Sequence, residues 1–383
     1  MDVGTMTDSG TTTASNLLVV DAGSSSLHLT VVDGEGREVA ARHETEAPGS
    51  GTRQVIEELL RHAPPVAATG HRLVHGGPRL LGPTLVDDAV RAELDRAAEL
   101  APLHVPPALT ALDATRRLLP DAAHVVCFDT AFHAGLPERA RTYGLPQEWT
   151  DRHGLHRYGF HGLSYAWALD RAAALLNRPP HDLHLVITHL GGGCSACAVR
   201  EGRSVDTTMG FTPLEGMVMS RRSGSVDPGL LLWLQTSAGM APEEITETLN
   251  RGSGLLGLSG TSGDTRDLVR SAADGDRRAA LALDVFALGV RRGVAACAAS
   301  LDRLDALVFT GEIGCDQPEV REAVCAGLGV LGVTGGLRPE NVREDTVVSP
   351  AGATVPVLVV PTGEGQRVAL ETRTLLTRHA GQK

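Results

Sequence analysis

A strand–turn–strand segment that occurs twice is the feature that most constrains the fold of this chain. In the first copy an apolar stretch ends at Asp21, passes through a turn of glycine and serine, and continues as a second apolar stretch. In the other copy the first stretch ends at His189 and the turn contains three glycines. Asp21 and His189 lie 168 positions apart, and the same offset pairs Gly23 with Gly191. The duplication predicts two related halves rather than a solenoid, with turns whose backbone N–H groups can approach phosphate oxygens.

Alternation of strands and helices along the rest of the chain predicts an α/β architecture. A length of 383 residues is sufficient for two domains, each with its own core. Apolar runs predict further strands at 66–69, 123–128, 304–310 and 355–360. Helical periodicity predicts helices at 53–61, 87–100, 107–118, 163–176, 277–301 and 365–378. Residues 141–159 are rich in glycine, proline and charge and are predicted to form a loop.

Composition argues against several classes of partner. A formal net charge of −11 and an aromatic content of 3% disfavour nucleic-acid binding. No apolar run is long enough for a membrane span, and the polar, Thr/Ser-rich residues 1–15 are predicted to form a disordered tail. Six scattered cysteines are typical of a reducing cytoplasm. The spacing of Cys194 and Cys197 matches CxxC, but without a second pair it gives little support for zinc or redox chemistry.

The near absence of lysine restricts any phosphate chemistry. Lys383 is the only lysine in the sequence. A P-loop lysine, a protein-kinase lysine and a Schiff-base lysine are therefore excluded. A phosphate site in this chain must use arginine, histidine, backbone amides and a metal.

Charged residues at the ends of predicted strands are the first candidates for a site. Asp21, Asp129, His189 and Glu364 occupy such positions, where ligands bind in α/β sheets. Any one of them could be an ordinary loop or helix-cap residue. Four in one chain, two of them on the duplicated turn, favour a functional role.

Arginine and histidine residues beside glycine-rich segments are the next candidates. Arg72 and Arg222 each lie close to glycines, and a guanidinium can bind a carboxylate or phosphate through two hydrogen bonds. His153, His156 and His161 lie close together, but no nearby carboxylate or cysteine completes a metal site. We therefore favour a single functional His161 that donates to a phosphoryl group.

Eleven short motifs in a fixed order carry a family resemblance. They lie at 21–26, 71–77, 101–104, 127–133, 157–162, 189–193, 209–216, 222–224, 264–266, 309–314 and 361–364. Through them, about residues 16 to 379 resemble the acetate kinases, in the superfamily of acetate and sugar kinases, Hsp70 and actin. The resemblance implies two similar ribonuclease-H-like α/β domains with an interdomain cleft. It places the N-terminal domain at 16–128 plus 365–383 and the nucleotide-binding domain at 129–364.

The implied activity is reversible, direct in-line phosphoryl transfer from ATP to acetate, giving acetyl phosphate and ADP. The resemblance also implies Mg²⁺, with Mn²⁺ as an option, and a cytoplasmic homodimer that binds neither nucleic acid nor membrane. The residue chemistry agrees, because a carboxylate is already ionised near neutral pH and needs no strong general base. Catalysis then depends on positioning and on positive charge around the transferring group.

Individual roles also follow from the resemblance. Arg72 would hold the carboxylate, while His161 and Arg222 would stabilise the planar phosphoryl group. Asp129 would orient the substrate or act in proton transfer. The residues implied to bind metal are Asp21 and Glu364. The residues implied to line the methyl slot are Val74, Leu103, Phe160 and Pro213. Those implied to bind nucleotide are Ser24, Ser26, His28, His189, Leu190, Gly191, Gly192, Gly193, Asp264, Thr265, Arg266, Glu312, Ile313, Gly314, Cys315 and Asp316.

Departures from the family pattern concern the phosphoryl donor. They are Asp21 for Asn, His28 for Lys, Gly192 for Asn, Glu312 for Gly, and Cys315 with Asp316 for a Glu-Asn pair. Glu312 adds a carboxylate to the pocket implied for adenine, near a polyanion. We therefore expect altered donor use, either weak ATP affinity or another donor such as pyrophosphate.

Two alternatives to an acetate kinase follow from the same residues. The first is a propionate or butyrate kinase, because one methylene is worth only about 1–3 kcal/mol of discrimination. The second is a nucleotide-binding module that has lost catalysis, which Asp21, His28 and Gly192 suggest. Against this second alternative, the proposed catalytic and metal-linked residues are all present, namely Arg72, Asp129, His161, Arg222 and Glu364.

Overall fold

The computed structural model describes residues 16–23, 26–46 and 48–381. The predicted tail at 1–15 and the predicted phosphate ligand Ser24 lie outside the described residues. The chain divides into two compact units. The first comprises residues 1–131 together with 364–383, and the second comprises residues 132–363.

Twelve strands and fourteen α-helices are present in the described part of the chain. The strands are β1 (Asn16–Ala22), β2 (Leu27–Val32), β3 (Glu38–Glu44), β4 (Val66–Leu73), β5 (Thr84–Leu85), β6 (Ala123–Phe128), β7 (His184–Leu190), β8 (Cys194–Arg200), β9 (Arg203–Thr207), β10 (Ala306–Thr310), β11 (Thr346–Val347) and β12 (Val357–Val359). The helices are α1 (Thr52–His62), α2 (Asp88–Ala97), α3 (Val105–Leu118), α4 (Glu138–Arg141), α5 (Gln147–His153), α6 (Gly162–Leu176), α7 (Pro228–Thr236), α8 (Pro242–Arg251), α9 (Gly254–Ser259), α10 (Thr265–Ala273), α11 (Arg277–Ala298), α12 (Gly311–Asp316), α13 (Pro318–Cys325) and α14 (Glu364–Ala380).

Each unit contains a six-stranded sheet, and the two sheets have the same topology. The first has the order β3-β2-β1-β4-β6-β5 and the second has the order β9-β8-β7-β10-β12-β11. In each sheet, adjacent strands among the first three in this order are antiparallel. The fourth and fifth strands are parallel to the third, and the sixth, a short edge strand, is antiparallel to the fifth. This identity confirms the predicted α/β architecture with two related halves.

The centre of each sheet is apolar because helices cover both of its faces. Strands β7 and β10 are buried along their whole length, as expected for central strands whose two faces are both covered. In the first unit, α3 and α14 both pack against β1 and β4. No helix in the described ranges combines the length and apolarity needed to span a bilayer.

Most predicted elements are present with small shifts of their ends, and one prediction is wrong. Helix α2 begins after Asp87, whose side chain accepts from the Val90 N–H at 2.7 Å, as its acidic start predicts. The predicted loop at 141–159 contains α5, which begins after Pro146 and ends at His153, just before Gly154 in the left-handed conformation. This proline and this glycine delimit a helix only two turns long, so its periodicity was too weak to detect.

Histidines buried in both units make stability sensitive to acid. In the first unit, Thr69 Oγ1 lies 2.9 Å from His71 Nε2 and 2.7 Å from His124 Nδ1. Burial, and then the neighbouring His124, lower the pKa of His71 to about 3. In the second unit, burial lowers the pKa of His133 to about 4. Both rings are therefore neutral in the folded protein at neutral pH.

We expect stability to fall as the pH drops below about 6.5, the ordinary histidine pKa. In the unfolded chain His71 and His133 take up protons near that pH, whereas in the folded protein they do so only near their lowered pKa values. At pH 4.5 each of these two histidines should lower the free energy of unfolding by about 2–3 kcal/mol relative to its value at neutral pH. Thermal denaturation between pH 8 and pH 4.5 measures the loss. A His133→Gln variant should show a shallower pH dependence, and an equal slope would contradict this assignment.

Candidate active site

The end of the central strands in the first unit carries a cluster of charges. Asp21 on β1 is the register partner of Arg72 on β4, and Asp129 directly follows β6. These three strands are parallel, so their carboxyl ends meet at one edge of the sheet. Arg72 Nη2 donates to Asp129 Oδ2 at 2.9 Å, and Arg72 Nη1 donates to Asp21 Oδ2 at 3.1 Å.

A third carboxylate joins this guanidinium from helix α14. Glu364 is the first residue of α14, and its Oε1 lies 3.8 Å from Arg72 Nη2. Three carboxylates therefore lie around one arginine. We call the set Asp21, Arg72, Asp129 and Glu364 the Arg72 cluster.

Burial determines the protonation behaviour of the Arg72 cluster. Burial raises the pKa of Asp129, and the attraction of Arg72 offsets this only in part. Burial by itself would lower the pKa of Arg72, but the carboxylates of Asp129, Asp21 and Glu364 reverse the effect and hold it well above its usual value. The guanidinium is thus permanently charged. Its three carboxylate neighbours leave an excess of negative charge, which favours a further cation.

His161 is the main candidate in the second unit. It precedes α6 with a left-handed backbone at φ 59°, a conformation that is uncommon outside glycine and marks functional sites. Its ring stacks on that of His189 with centroids 4.2 Å apart. His161 Nδ1 lies 2.8 Å from the hydroxyl oxygen of Ser195. Strand β8 holds that serine directly opposite His189 on β7.

Arg222 lies close to the same histidine. Its Nη1 donates to the Pro213 carbonyl at 2.7 Å, and burial lowers its pKa. Among the described residues, no carboxylate forms an ion pair with Arg222. A partly buried guanidinium without a carboxylate favours an anionic ligand.

Gly193 shows where Arg222 and His161 converge. A Cβ atom at Gly193 would lie 2.8 Å from Arg222 Nη2 and 3.1 Å from His161 Nε2. The absence of a side chain therefore keeps open a space that two donors share. We call the set His161, Gly193 and Arg222 the Gly193 site.

A polar cavity of about 480 Å³ begins at the same glycine turn. Its lining residues are Gly191, Gly192, Ser220, Gly263, Asp264, Thr265, Arg266, Glu312, Ile313, Asp316, Gln317 and Arg343. Gly311 turns the chain from β10 into α12 with φ +84°, and a Cβ there would lie 2.3 Å from the Leu190 carbonyl oxygen. Only glycine fits this turn, which places Glu312 in the cavity wall. Two ion pairs line the cavity, one between Arg266 and Asp264 at 2.6 Å and one between Arg343 and Asp316 at 2.9 Å.

Several of the predicted site residues are not part of this cavity lining. Leu190, Gly314 and Cys315 are buried and are not part of the cavity lining. Ser26 and His28 belong to the first unit, where the His28 ring stacks on that of His43 across β2 and β3. The predicted methyl-slot residues divide between the units. Val74 and Leu103 belong to the first, and Phe160 and Pro213 belong to the second.

Other residues of the site were not identified from the sequence. In the cavity lining they are Ser220, Gly263, Gln317 and Arg343. At the Gly193 site, Ser195 bonds to His161, and Tyr165 in turn bonds to Ser195. Ser195 directly follows the second glycine turn, a position that could have identified it. Arg343 precedes the short strand β11, and no local pattern marks it.

Comparisons with known proteins identify the family of the chain. The sequence profile of the acetokinase family matches residues 37–370. An acetate kinase from Leifsonia xyli is 42% identical over 391 residues, which cover 93% of this chain and 97% of that protein.

Solved structures show the same fold. An acetate kinase from Porphyromonas gingivalis superposes with a TM-score of 0.86 at 32% identity, covering 95% of this chain and 100% of that one. A propionate kinase from Francisella tularensis superposes with a TM-score of 0.87 at 31% identity, covering 94% and 99%. On this profile match, sequence identity and shared fold, the chain belongs to the acetokinase family.

Proposed function

We propose that the protein transfers the γ-phosphoryl group of ATP reversibly to the carboxylate of acetate, giving acetyl phosphate and ADP. The observation that carries this proposal is the convergence of His161 and Arg222 over Gly193, next to a polar cavity. Donors arranged around an open space suit a transferring phosphoryl group, whose negative charge is spread over its oxygens. The acceptor carboxylate is already ionised, so direct in-line attack needs no strong base.

The first unit supplies the proposed acceptor residues. Arg72 is proposed to hold the acetate carboxylate, for which the guanidinium fork is well shaped. Its contacts with Asp21 and Asp129 hold the fork in place before substrate arrives. Asp129 is proposed to orient the substrate or to take part in proton transfer.

The second unit is proposed to bind the nucleotide. Backbone N–H groups of Gly191 to Gly193 would contact its phosphates, and the cavity would hold its sugar and base. The residues proposed to line the methyl slot are Val74, Leu103, Phe160 and Pro213. The fold similarity to a propionate kinase makes propionate a second candidate acceptor.

The donor set of the Arg72 cluster fits a divalent cation. In the described part of the chain, no group of three or more His, Cys, Asp or Glu residues is arranged to enclose a metal. Mg²⁺ does not need such a group, because it commonly binds through one or two carboxylates together with substrate phosphates. Asp21 and Glu364 are proposed to hold Mg²⁺, with Mn²⁺ as an alternative. When bound, the ion would neutralise phosphate charge.

A hydroxamate assay tests the proposed reaction. Acetate, propionate and butyrate are each incubated with Mg²⁺ and either ATP or pyrophosphate, and hydroxylamine traps any acyl phosphate. We expect product with ATP and acetate. Absence of product in every combination would favour a nucleotide-binding module over an enzyme.

Glu312 is expected to weaken the use of ATP. Its carboxylate lines the cavity, near Arg266 and Asp316, and adds negative charge where a polyanion is proposed to bind. Glu312→Gly should lower the KM for ATP by roughly threefold to tenfold, which corresponds to the loss of one unfavourable charge contact.

The Glu312→Gln variant separates charge from size, because it keeps the shape and removes the charge. It should give most of the same improvement if charge is the cause. Equal KM values for ATP in the wild type and Glu312→Gly would refute the role of Glu312.

We also propose that the protein is a homodimer and that helix α7 is part of its interface. No residue of α7 is buried, and its apolar side chains are exposed, with Leu230 at 46%, Leu232 at 62% and Trp233 at 56%. A second copy is the proposed occupant, because large exposed apolar groups on one helix mark association surfaces and family resemblance implies a dimer. Light scattering should give twice the monomer mass, and Leu232→Glu should reduce it to the monomer mass. A monomeric wild type would overturn the proposal.

A cytoplasmic location is proposed from the cysteines. All six are free and buried, as expected of thiols that stay reduced. Fractionation of cells that express the protein would test this location.

A further inference from the structure

A chain of hydrogen bonds leads from the buried interior of the second unit to His161. The hydroxyl of Tyr165 bonds to the Ser195 hydroxyl oxygen, which lies 2.8 Å from His161 Nδ1. Tyr165 and Ser195 are both completely buried. Tyr165 lies one turn after His161 on α6, and its N–H donates to the His161 carbonyl at 3.0 Å. Helix α6 and strand β8 therefore hold the three side chains in line.

The hydroxyl protons of Tyr165 and Ser195 determine which group donates in each hydrogen bond of this chain. Burial raises the pKa of Tyr165 well above its usual value, so the phenol keeps its proton. Among the residues that the structure describes, Ser195 is the one hydrogen-bond partner of that phenol. The phenol must donate to Ser195, because a buried donor without an acceptor is costly. The single Ser195 proton is then directed at the remaining partner, His161 Nδ1.

We infer that Tyr165 and Ser195 are positioning residues that hold His161 as a neutral ring with its proton on Nε2. An Nδ1 that accepts from Ser195 cannot itself carry a proton. The ring proton is therefore on Nε2, the atom 3.1 Å from the position of a Cβ at Gly193. The inference deepens the proposed function, on which it rests for its catalytic meaning, since Nε2–H would donate to the transferring phosphoryl group.

The surroundings of the His161 ring are consistent with a neutral form. His189 stacks on one face of the ring, and Arg222 lies near the same open space over Gly193. Arg222 is a permanent cation, beside which a positive charge on His161 would be unfavourable. His189 has a hydroxyl partner of its own, since its Nδ1 lies 2.9 Å from the Ser164 oxygen. The two stacked histidines are thus each oriented by a serine.

Nuclear magnetic resonance tests the proton position directly. The full chain is labelled with ¹⁵N-histidine, and the His161 signal is assigned by its loss in His161→Gln. We expect the Nε2–H form in the wild type and a mixture of both neutral forms in Ser195→Ala and Tyr165→Phe. A wild-type ring protonated on Nδ1, or an unchanged ring in Ser195→Ala, would overturn the inference.

Kinetics test the consequence for catalysis. Ser195→Ala and Tyr165→Phe should each lower kcat roughly tenfold, the effect of one misdirected hydrogen bond, with both KM values changed less than twofold. Ser195→Thr keeps a hydroxyl and should therefore recover most of the kcat that Ser195→Ala loses. This recovery would show that the loss in Ser195→Ala is not a folding defect. Ser349→Ala is the matched control, because Ser349 is a buried serine of the same unit whose hydroxyl oxygen accepts from the Val357 N–H at 3.1 Å, at the start of β12.

The two assays separate failure of the inference from failure of the proposed function. A wild type that makes no acyl phosphate but shows the Nε2–H ring, dependent on Ser195, would refute the reaction and support the inference. An active enzyme whose kcat is unchanged in Ser195→Ala would refute the positioning role alone.

Discussion

Replacing Arg72 with alanine is expected to lower kcat/KM for acetate by roughly 10³-fold, about 4 kcal/mol. The guanidinium is the proposed partner of the acetate carboxylate, and without it an anion would enter a region that already holds three carboxylates. Most of the loss should be in the KM for acetate, because the contact exists before the phosphoryl group moves. Steady-state kinetics with varied acetate measure both parameters.

The same substitution should also shift the pH dependence. Arg72 lowers the pKa of the buried Asp129, so its removal lets that pKa rise further. The acidic limb of the kcat profile should therefore move to higher pH. Arg72→Lys keeps the positive charge but cannot donate two parallel hydrogen bonds to a carboxylate. It should therefore recover only part of the activity that Arg72→Ala loses.

Arg79→Ala removes a mostly exposed arginine of the same unit and is the matched control. Wild-type kinetics in Arg72→Ala would remove Arg72 from the site.

Replacing Arg222 with alanine is expected to lower kcat by roughly 10³-fold with little change in the KM for acetate. Arg222 shares the space over Gly193 with His161, where the transferring phosphoryl group is proposed to become planar. Its pKa is lowered by burial, so its charge is poorly solvated and available to an anion. Single-turnover measurement with saturating ATP and acetate isolates the chemical step.

Arg221→Ala provides the comparison, because Arg221 is the neighbouring arginine and is exposed. It should retain wild-type kcat. Equal losses in the two variants would indicate a general effect on this segment rather than a role for the Arg222 guanidinium.

The fold was predictable because apolar runs and hydrophobic periodicity are local features of the sequence, and because the strand–turn–strand segment occurs twice. The apolar runs that end at Asp21 and His189 predicted two equivalent hairpins, and the structure places both in sheets of the same order. Buried strands and long amphipathic helices follow from hydrophobic periodicity alone. Helix α5 was missed because two turns between a proline and a glycine carry too little periodicity.

The site was predictable only where glycine or strand ends marked it. Arg72 and Asp129 follow from their positions at the ends of parallel strands, which topology brings together. Tyr165 could not be predicted, because a tyrosine within an apolar helix is indistinguishable from core until its hydroxyl partner is known. Arg343 likewise becomes relevant only through its long-range pairing with Asp316.

The shared topology of the two sheets allows their equivalent strand ends to be compared. Asp21 and His189 occupy the same place in equivalent strands, and each pairs with the adjacent parallel strand, at Arg72 in one copy and at Thr310 in the other. The first unit carries three carboxylates around Arg72 at this edge, whereas the second carries two stacked histidines and an arginine that has no carboxylate partner among the described residues. Two copies of one backbone arrangement therefore carry different side-chain chemistry at equivalent strand ends, so the shared strand order does not by itself determine what each end can bind.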